Sequence, residues 1–312
     1  MNKKQLSERD ICTKFITPSL RQAGWDEITQ LREEVSFTKG RIIVRGKLVT
    51  RGKAKRADYI LYYKPNIPLA VLEAKDNNCS VGDGMQQALG YAETLQIPFV
   101  FSSNGDGFVF HDRSATSGAI EQNLQLDEFP SPATLWAKYR AWKGLPPEAE
   151  SIVLQDYFDD GSGKGPRYYQ ASAVNAATEA IAKGQNRLLL AMATGTGKTY
   201  TAFQIIWRLW KAGRKKRILY LADRNVLVNQ TMVNDFRPFG WRPVGYRGKW
   251  HSHRGGAVRA LERRSRELCS PESRDPVPSV RCQDQSFRVA VPQLAGRNGG
   301  HAAIGDHQQR AL

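Results

Sequence analysis

The chain has 312 residues and a mass of 35.0 kDa, enough for two domains with cores of their own, and carries 46 Lys and Arg against 30 Asp and Glu, giving a net charge of +16 and a pI near 9.8. That balance calls for a polyanionic partner, nucleic acid first and an acidic membrane surface second. No run approaches the roughly 18 apolar residues of a membrane span, and MNKKQLSERD has no apolar core of a signal peptide, so the expectation is a cytoplasmic protein with no membrane partner.

Residues 7–23 predict an opening helix: Ser7 caps it with Asp10 three residues on, Ile11, Phe15, Ile16 and Leu20 supply an apolar stripe, and Gly24 ends it. Pro18 predicts a kink or an early end. From Val35 to Val49 the pattern alternates as strands do. Lys47, Arg51, Lys53, Lys55 and Arg56 then crowd together just ahead of Asp58, either as a solvated face or as phosphate contacts.

Two runs rich in β-branched, aromatic and aliphatic residues, Asp58–Tyr63 and Pro68–Lys75, flank the turn-forming Lys64-Pro65-Asn66-Ile67 and predict a hairpin. A turn centred on Pro65 and Asn66 places Asp58 opposite Glu73, with Cβ atoms about 4.5–5.5 Å apart. Lys75 falls on the face of Glu73 because side chains alternate along a strand. Pro65 cannot take the positive φ of a type I′ turn, so a longer or bulged connection is expected. Two carboxylates that share a hard cation such as Mg²⁺, with an ammonium beside them, suffice for phosphodiester hydrolysis. The plainer alternative is a charge pair at a strand end, against which stands the cost of burying charge where both strand faces are apolar. Beyond it, Gln87 and Tyr91 stand four apart in a helical segment and so share a face.

Phe99–Ser103 and Phe108–Asp112 form two short strands around Asn104-Gly105-Asp106-Gly107, and Gly144–Pro166 reads as a boundary with a linker. An alanine-rich helix opens the second half at Tyr168 and closes at Lys183–Gly184. A buried strand, Leu188–Met192, runs directly into Ala193-Thr194-Gly195-Thr196-Gly197-Lys198-Thr199, followed by a helix with Phe203, Ile206, Leu209 and Trp210 and a strand over Ile218–Ala222. This order places a triphosphate on backbone N–H groups at a helix N-terminus, with Lys198 on the β/γ oxygens and the Thr199 hydroxyl on Mg²⁺.

Asp58, Glu73-x-Lys75 and Gln87-x-x-x-Tyr91, in that order, resemble the PD-(D/E)xK nucleases, and specifically the N-terminal nuclease domain of type I restriction enzyme R subunits. ATGTGKT resembles motif I of superfamily-two helicases, Gln170 stands at their adenine-reading glutamine, and Leu219–Gln230 resembles their motif Ia. The implied fold class is α/β: a PD-(D/E)xK nuclease α/β domain (1–150), a linker (151–166) and an incomplete RecA-like P-loop domain (167–240), followed by an Arg-rich tail (241–312) whose composition reads as disordered or out-of-frame. The resemblance implies catalytic Asp58, Glu73, Lys75, Gln87 and Tyr91, with Asp58, Glu73 and Thr199 as metal ligands. It implies a nucleotide site at Gln170, Thr194, Gly195, Thr196, Gly197, Lys198 and Thr199, with ATP and Mg²⁺ as cofactors. Its partners are double-stranded DNA and the methylation and specificity subunits of a type I restriction complex.

After residue 240 the composition changes: residues 241–312 hold twelve Arg and one Lys, against sixteen and seventeen before. That stretch reads as out-of-frame or fusion sequence, or as a natural nucleic-acid-binding tail. No DExH box follows Asp223, so the chain reads as a truncated R subunit whose motor is inactive. Two alternatives stay open: an ATP-binding helicase fragment with an inert nuclease-like domain, and a non-catalytic basic DNA-binding module.

Overall fold

The computed structural model describes residues 2–37, 54–193 and 195–214 in full, and the backbone of strands at 42–45, 48–51, 219–221, 279–283 and 286–290. Ser7 caps the opening helix and forms the expected reciprocal box with Asp10. Helix α1 (Glu8–Ile11) widens into a π-helical turn over Cys12–Ile16 before α2 (Thr17–Gln22). The wide turn explains why Pro18 does not break the run: proline has no N–H and its ring crowds the carbonyl four residues back, and a π-turn opens the ladder there. Ile11, Ile16 and Leu20 are fully buried, as the stripe predicts.

Six strands form the main sheet, in the order β1 (Leu31–Phe37), β4 (Lys55–Lys64), β5 (Ile67–Ala74), β6 (Phe99–Ser103), β7 (Phe108–Asp112) and β8 (Glu121–Leu124). A separate antiparallel pair, β2 (Ile42–Arg45) and β3 (Leu48–Arg51), lies between β1 and β4 in sequence. Neighbours in the main sheet are antiparallel except β5 and β6, which run parallel because helix α3 (Met85–Leu95) carries the chain back across one face. Tyr59, Leu61, Leu72, Phe99 and Phe101 pack on one side with the opening helix and α4 (Pro132–Lys143). Ile60, Val71 and Val100 pack on the other against Met85, Ala88 and Tyr91 of α3. A sheet covered on both faces explains why β5 is apolar throughout and why charges at its end stand out. Fully buried Phe99, Phe101 and Phe108 each contribute about 1.5–3 kcal/mol of transfer free energy.

The hairpin register matches expectation where it matters. Tyr59 pairs with Leu72, Ile60 with Val71 and Leu61 with Ala70, and one further step puts Asp58 opposite Glu73. Nearer the turn the register shifts, with Tyr62 against Pro68 and then Lys64 against Ile67, which is the expected bulge. Asn66 has φ 68°, so Pro65 followed by Asn66 fits the type II pattern, with proline first and a positive φ second.

Between the two halves, α5 (Glu150–Val153) buries Ile152 and Val153 in different apolar clusters, one shared with the main sheet and one with the second half, while 159–165 is exposed. The second half comprises α6 (Tyr168–Ala182), β9 (Arg187–Ala191), α7 (Lys198–Lys211) and the three-residue β10 (Leu219–Leu221). Two strands from the last segment, β11 (Ser279–Gln283) and β12 (Ser286–Ala290), complete a sheet of order β10-β11-β12-β9. The expectation that 241–312 is disordered therefore fails for these ten residues, whose SVRCQ and SFRVA patterns alternate polar and apolar types as strands require. The strand before the glycine loop is also corrected: none of the residues of β9 is buried and Leu189 is 59% exposed, because β9 lies at the edge of that sheet. Among the described residues no helix is long and apolar enough to cross a membrane.

Candidate functional site

At the end of the hairpin away from its turn, Asp58 is half-buried and Glu73 is 2% exposed. Asp58 Oδ2 accepts from the Ala74 N–H at 2.8 Å, which ties the acid of one strand to the backbone of the next. Glu73 Oε1 accepts from Lys75 Nζ at 3.0 Å and from Gln87 Nε2, and Gln87 Nε2 lies 2.7 Å from the Tyr91 hydroxyl. Spacing puts Gln87 with Tyr91 and Glu73 with Lys75, and the resemblance implies that the two pairs share a site; they converge because α3 crosses the sheet beside Glu73. The approach is close: Gly84, just before α3, gives its N–H to Ser102 Oγ at 3.1 Å, and a Cβ there would lie 3.0 Å from Glu73 Cγ.

Burial sets the electrostatics. Desolvation, and then the charge of Asp58, push Glu73 up to about 7, with the Lys75 amine only partly offsetting them. Asp58 is also raised, by desolvation first, against the lowering effect of the Ala74 N–H. For Lys75, desolvation favours the neutral amine but is outweighed by Glu73 and Glu8, leaving the group above its ordinary range. Glu73 Oε2 is buried and has no hydrogen-bond partner. Such an oxygen is costly unless a cation meets it.

Glu8 is the site residue that sequence reasoning missed. It is the first residue of α1 and its Oε1 lies 3.2 Å from Lys75 Nζ, so the amine sits between two carboxylates while also donating to the Ala74 carbonyl at 2.8 Å. No local signal marks it, because a Glu in the first turn of a helix is common. Of the basic run, Lys55 Nζ stands 5.1 Å over the Tyr91 ring and exposed Arg56 pairs with Glu34 at 3.6 Å. The side chains of Lys47, Arg51 and Lys53 lie outside the described residues. Among the described residues no three His, Cys, Asp or Glu side chains converge as a metal cage. Two carboxylates with one orphaned oxygen nevertheless fit a cation such as Mg²⁺, which keeps several waters and takes one or two protein carboxylates.

At the second candidate site, Gly195 (φ 77°) and Gly197 (φ 85°) carry the loop after β9 into α7, with Lys198 the first helical residue and Thr199 the second. Thr194 lies outside the described residues. Gln170, 8% exposed, turns both ends of its amide to the protein: Oε1 accepts from Arg167 N at 2.9 Å and Nε2 donates to the Thr196 carbonyl at 2.8 Å. The expected base-reading amide thus braces the glycine loop, and a Cβ on Gly197 would overlap it. Beside the loop opens a cleft of about 310 Å³ with Tyr169, Leu190, Met192 and Thr196 in its walls.

Residues 21–130 match the family described as "Type I restriction enzyme R protein N terminus (HSDR_N)", and residues 163–254 match "Type III restriction enzyme, res subunit". The chain is 58% identical over 241 residues to the type I restriction enzyme EcoAI endonuclease subunit of Escherichia coli, covering 77% of this chain and 30% of that protein. It is 31% identical over 280 residues to the EcoKI endonuclease subunit of Escherichia coli strain K12, covering 70% of this chain and 23% of that one. A fragment structure assigned to an HsdR subunit of a type I restriction enzyme from Vibrio vulnificus YJ016 matches with a TM-score of 0.61 and 41% identity, over 70% of this chain and 42% of that one. The chain therefore spans less than a third of the length of these two curated relatives. Over the stretch they share, it belongs to the N-terminal region of the type I restriction enzyme R subunits.

Proposed function

We propose that the chain carries a Mg²⁺-dependent DNA endonuclease site on the β4–β5 hairpin and an ATP-binding loop between β9 and α7, as parts of an ATP-dependent type I site-specific deoxyribonuclease. The observation that carries the reading is that Asp58 and Glu73 stand one step beyond the Tyr59–Leu72 pair on facing strands, with Lys75 Nζ 3.0 Å from Glu73 and a buried, unpaired oxygen on Glu73. Asp58 and Glu73 would hold the cation, which supplies polarisation of a phosphoryl oxygen and a water acidic enough to attack at neutral pH. Lys75 Nζ, held on Glu73 Oε1 and so beside the oxygen left for a cation, would offer its charge to the phosphate. Gln87 orients the Glu73 carboxylate, and Tyr91 backs Gln87. Lys55 and Arg56 give the duplex backbone its first cationic contact.

At the second site the N–H groups at Gly195, Thr196 and Gly197 would cradle phosphates at the start of α7, with Lys198 and Thr199 toward the β/γ oxygens and their Mg²⁺. The apolar cleft beside Tyr169 suits a base, and Gln170 would have to leave Thr196 to read it. In this reading residues 1–150 form a PD-(D/E)xK nuclease domain, 151–166 a connector, 167–240 the start of a RecA-like motor and 241–312 a tail. Its partners are double-stranded DNA and the methylation and specificity subunits, in the cytoplasm.

One observation favours a second reading, an inert hairpin on a chain that only binds DNA and nucleotide: Lys75 already has three acceptors, on Glu73, Glu8 and Ala74. Nicking of supercoiled DNA separates the two. The first reading expects Mg²⁺-dependent nicks that disappear in Asp58→Ala and Lys75→Ala; equal nicking by these variants rejects it. Photocrosslinking of ATP that survives Lys198→Ala would reject the nucleotide site.

A further inference from the structure

Arg208, on α7 and three turns from the glycine loop, is fully buried. A buried guanidinium ordinarily needs a carboxylate, yet Glu179 and Asp156 act on it only through their charge and its direct contacts are neutral: Nη1 donates to Asn175 Oδ1 at 2.9 Å, Nη2 donates to the Val153 carbonyl at the end of α5, and the guanidinium lies 4.9 Å over the Tyr157 ring. Its Nε has no partner. Asn175 Oδ1 also accepts from the Tyr157 hydroxyl at 2.9 Å, and on its other side Asn175 Nδ2 donates to the Asn66 carbonyl at 2.7 Å. Arginine can only donate, so the orientation of this amide is fixed: its oxygen faces Arg208 and its N–H₂ faces Asn66.

Asn66 is the tip of the hairpin whose far end, roughly 20 Å away along the strands, holds Asp58 and Glu73. The tip is also where the ladder is weakest. The register shifts twice between Leu61 and Lys64, and Pro68 opposite Tyr62 has no N–H to give. Outside contacts hold this irregular piece: Tyr62 N donates to the Gln30 carbonyl at 2.8 Å, Tyr63 stacks on Trp136 at 4.5 Å, and Lys64 Nζ donates to the Leu154 carbonyl at 3.2 Å. The bond to the turn itself comes from Asn175, on the helix that also braces the glycine loop through Gln170.

We propose that Asn175 is a positioning residue for the candidate nuclease: held in one orientation by Arg208 and Tyr157, it pins the Asn66 carbonyl and so the register of the hairpin that opposes Asp58 and Glu73. The first half then owes the geometry of its site to the second. What the hairpin does rests on the nuclease reading above, but its anchorage is measurable without cleavage.

Asn175→Asp in the full chain is the discriminating change. It keeps an acceptor for Arg208 and Tyr157 and gives the buried guanidinium a counter-ion, but it sets an oxygen against the Asn66 carbonyl. The expected result is a thermal midpoint no lower than wild type, amide hydrogen exchange between residues 62 and 73 at least ten-fold faster, and unchanged exchange between 99 and 112. Mg²⁺-dependent nicking should fall about ten-fold in kcat with KM for DNA unaltered. Asn175→Leu with Arg208→Met, which removes the buried guanidinium together with its amide partner, should speed exchange in the same segment and is the variant to read if Asn175→Asp does not fold. Wild-type exchange at residues 62–73 in either folded variant overturns the proposal. Faster exchange in a chain that shows no nicking even as wild type would uphold the anchor while rejecting the nuclease.

Discussion

Glu73→Gln should make the metal-free protein more stable, by an amount that depends on pH. Glu73 is 2% exposed, its Oε2 lacks a partner and its pKa is raised to about 7 from an ordinary 4.5, by desolvation first and Asp58 second. Between those two values the folded protein binds a proton that the unfolded chain has lost, so wild-type stability falls as pH rises, by up to about 1.4 kcal/mol per pH unit. Across the window the loss sums to about 3 kcal/mol, most of it incurred by pH 7 and complete above. Glutamine has the same shape and no charge, and its oxygen still accepts from Lys75. Urea unfolding without divalent ions, from pH 4 to 8.5, should show the two proteins nearly equal at the acid end and the variant ahead by about 2–3 kcal/mol at pH 8. Mg²⁺ should stabilise wild type at pH 8 and leave the variant unmoved. A stability difference that does not change with pH would show that the Glu73 carboxyl is not held up by burial, and the case for an unmet cation ligand would fall with it.

Gly84 has φ −78°, so Gly84→Ala tests space and not backbone strain: the new Cβ would lie 2.8 Å from Ser102 Oγ and 3.0 Å from Glu73 Cγ, and the overpacking should cost about 1–3 kcal/mol in thermal unfolding, reduced by adding Ser102→Ala. Gly197→Ala meets both a positive φ of 85° and overlap with Gln170, so binding of a fluorescent nucleotide should be lost and Gln170→Ala should fail to restore it, because the φ cost remains. Tyr139 gives its hydroxyl proton to Glu179, a bond between α4 and α6 that is buried on both sides. Tyr139→Phe should lower unfolding free energy by about 1–3 kcal/mol while leaving a lone Lys143 contact at 3.5 Å on that carboxylate.

Much of the site is legible in the residues alone. Period-two alternation and a turn at Pro65-Asn66 are short-range rules, and they suffice to set Asp58 against Glu73 and to place Lys75 on the same side. The i, i+4 spacing of Gln87 and Tyr91 likewise puts both on one helix face, and glycines at 195 and 197 announce the positive φ values found there. Helix α4 is not among the expected elements, yet its signals are local too: Ser131 caps it, Pro132 comes first, Gly144 closes it, and Leu135, Trp136 and Tyr139 face inward.

Tertiary structure alone decided what distant partners do to charge. Glu8 reaches Lys75 across 67 positions, Asn175 reaches Asn66 across 109, and Arg208, in sequence an ordinary basic residue in the last turn of α7, is fully buried with neutral hydrogen-bond partners. Gln170 could have faced a base or the loop, and only the fold shows the loop. The division has one cause. Backbone periodicity and turn chemistry act over a few residues and are written locally, whereas desolvation depends on which surfaces meet, and an ionisable side chain carries no local mark of whether water will be left beside it.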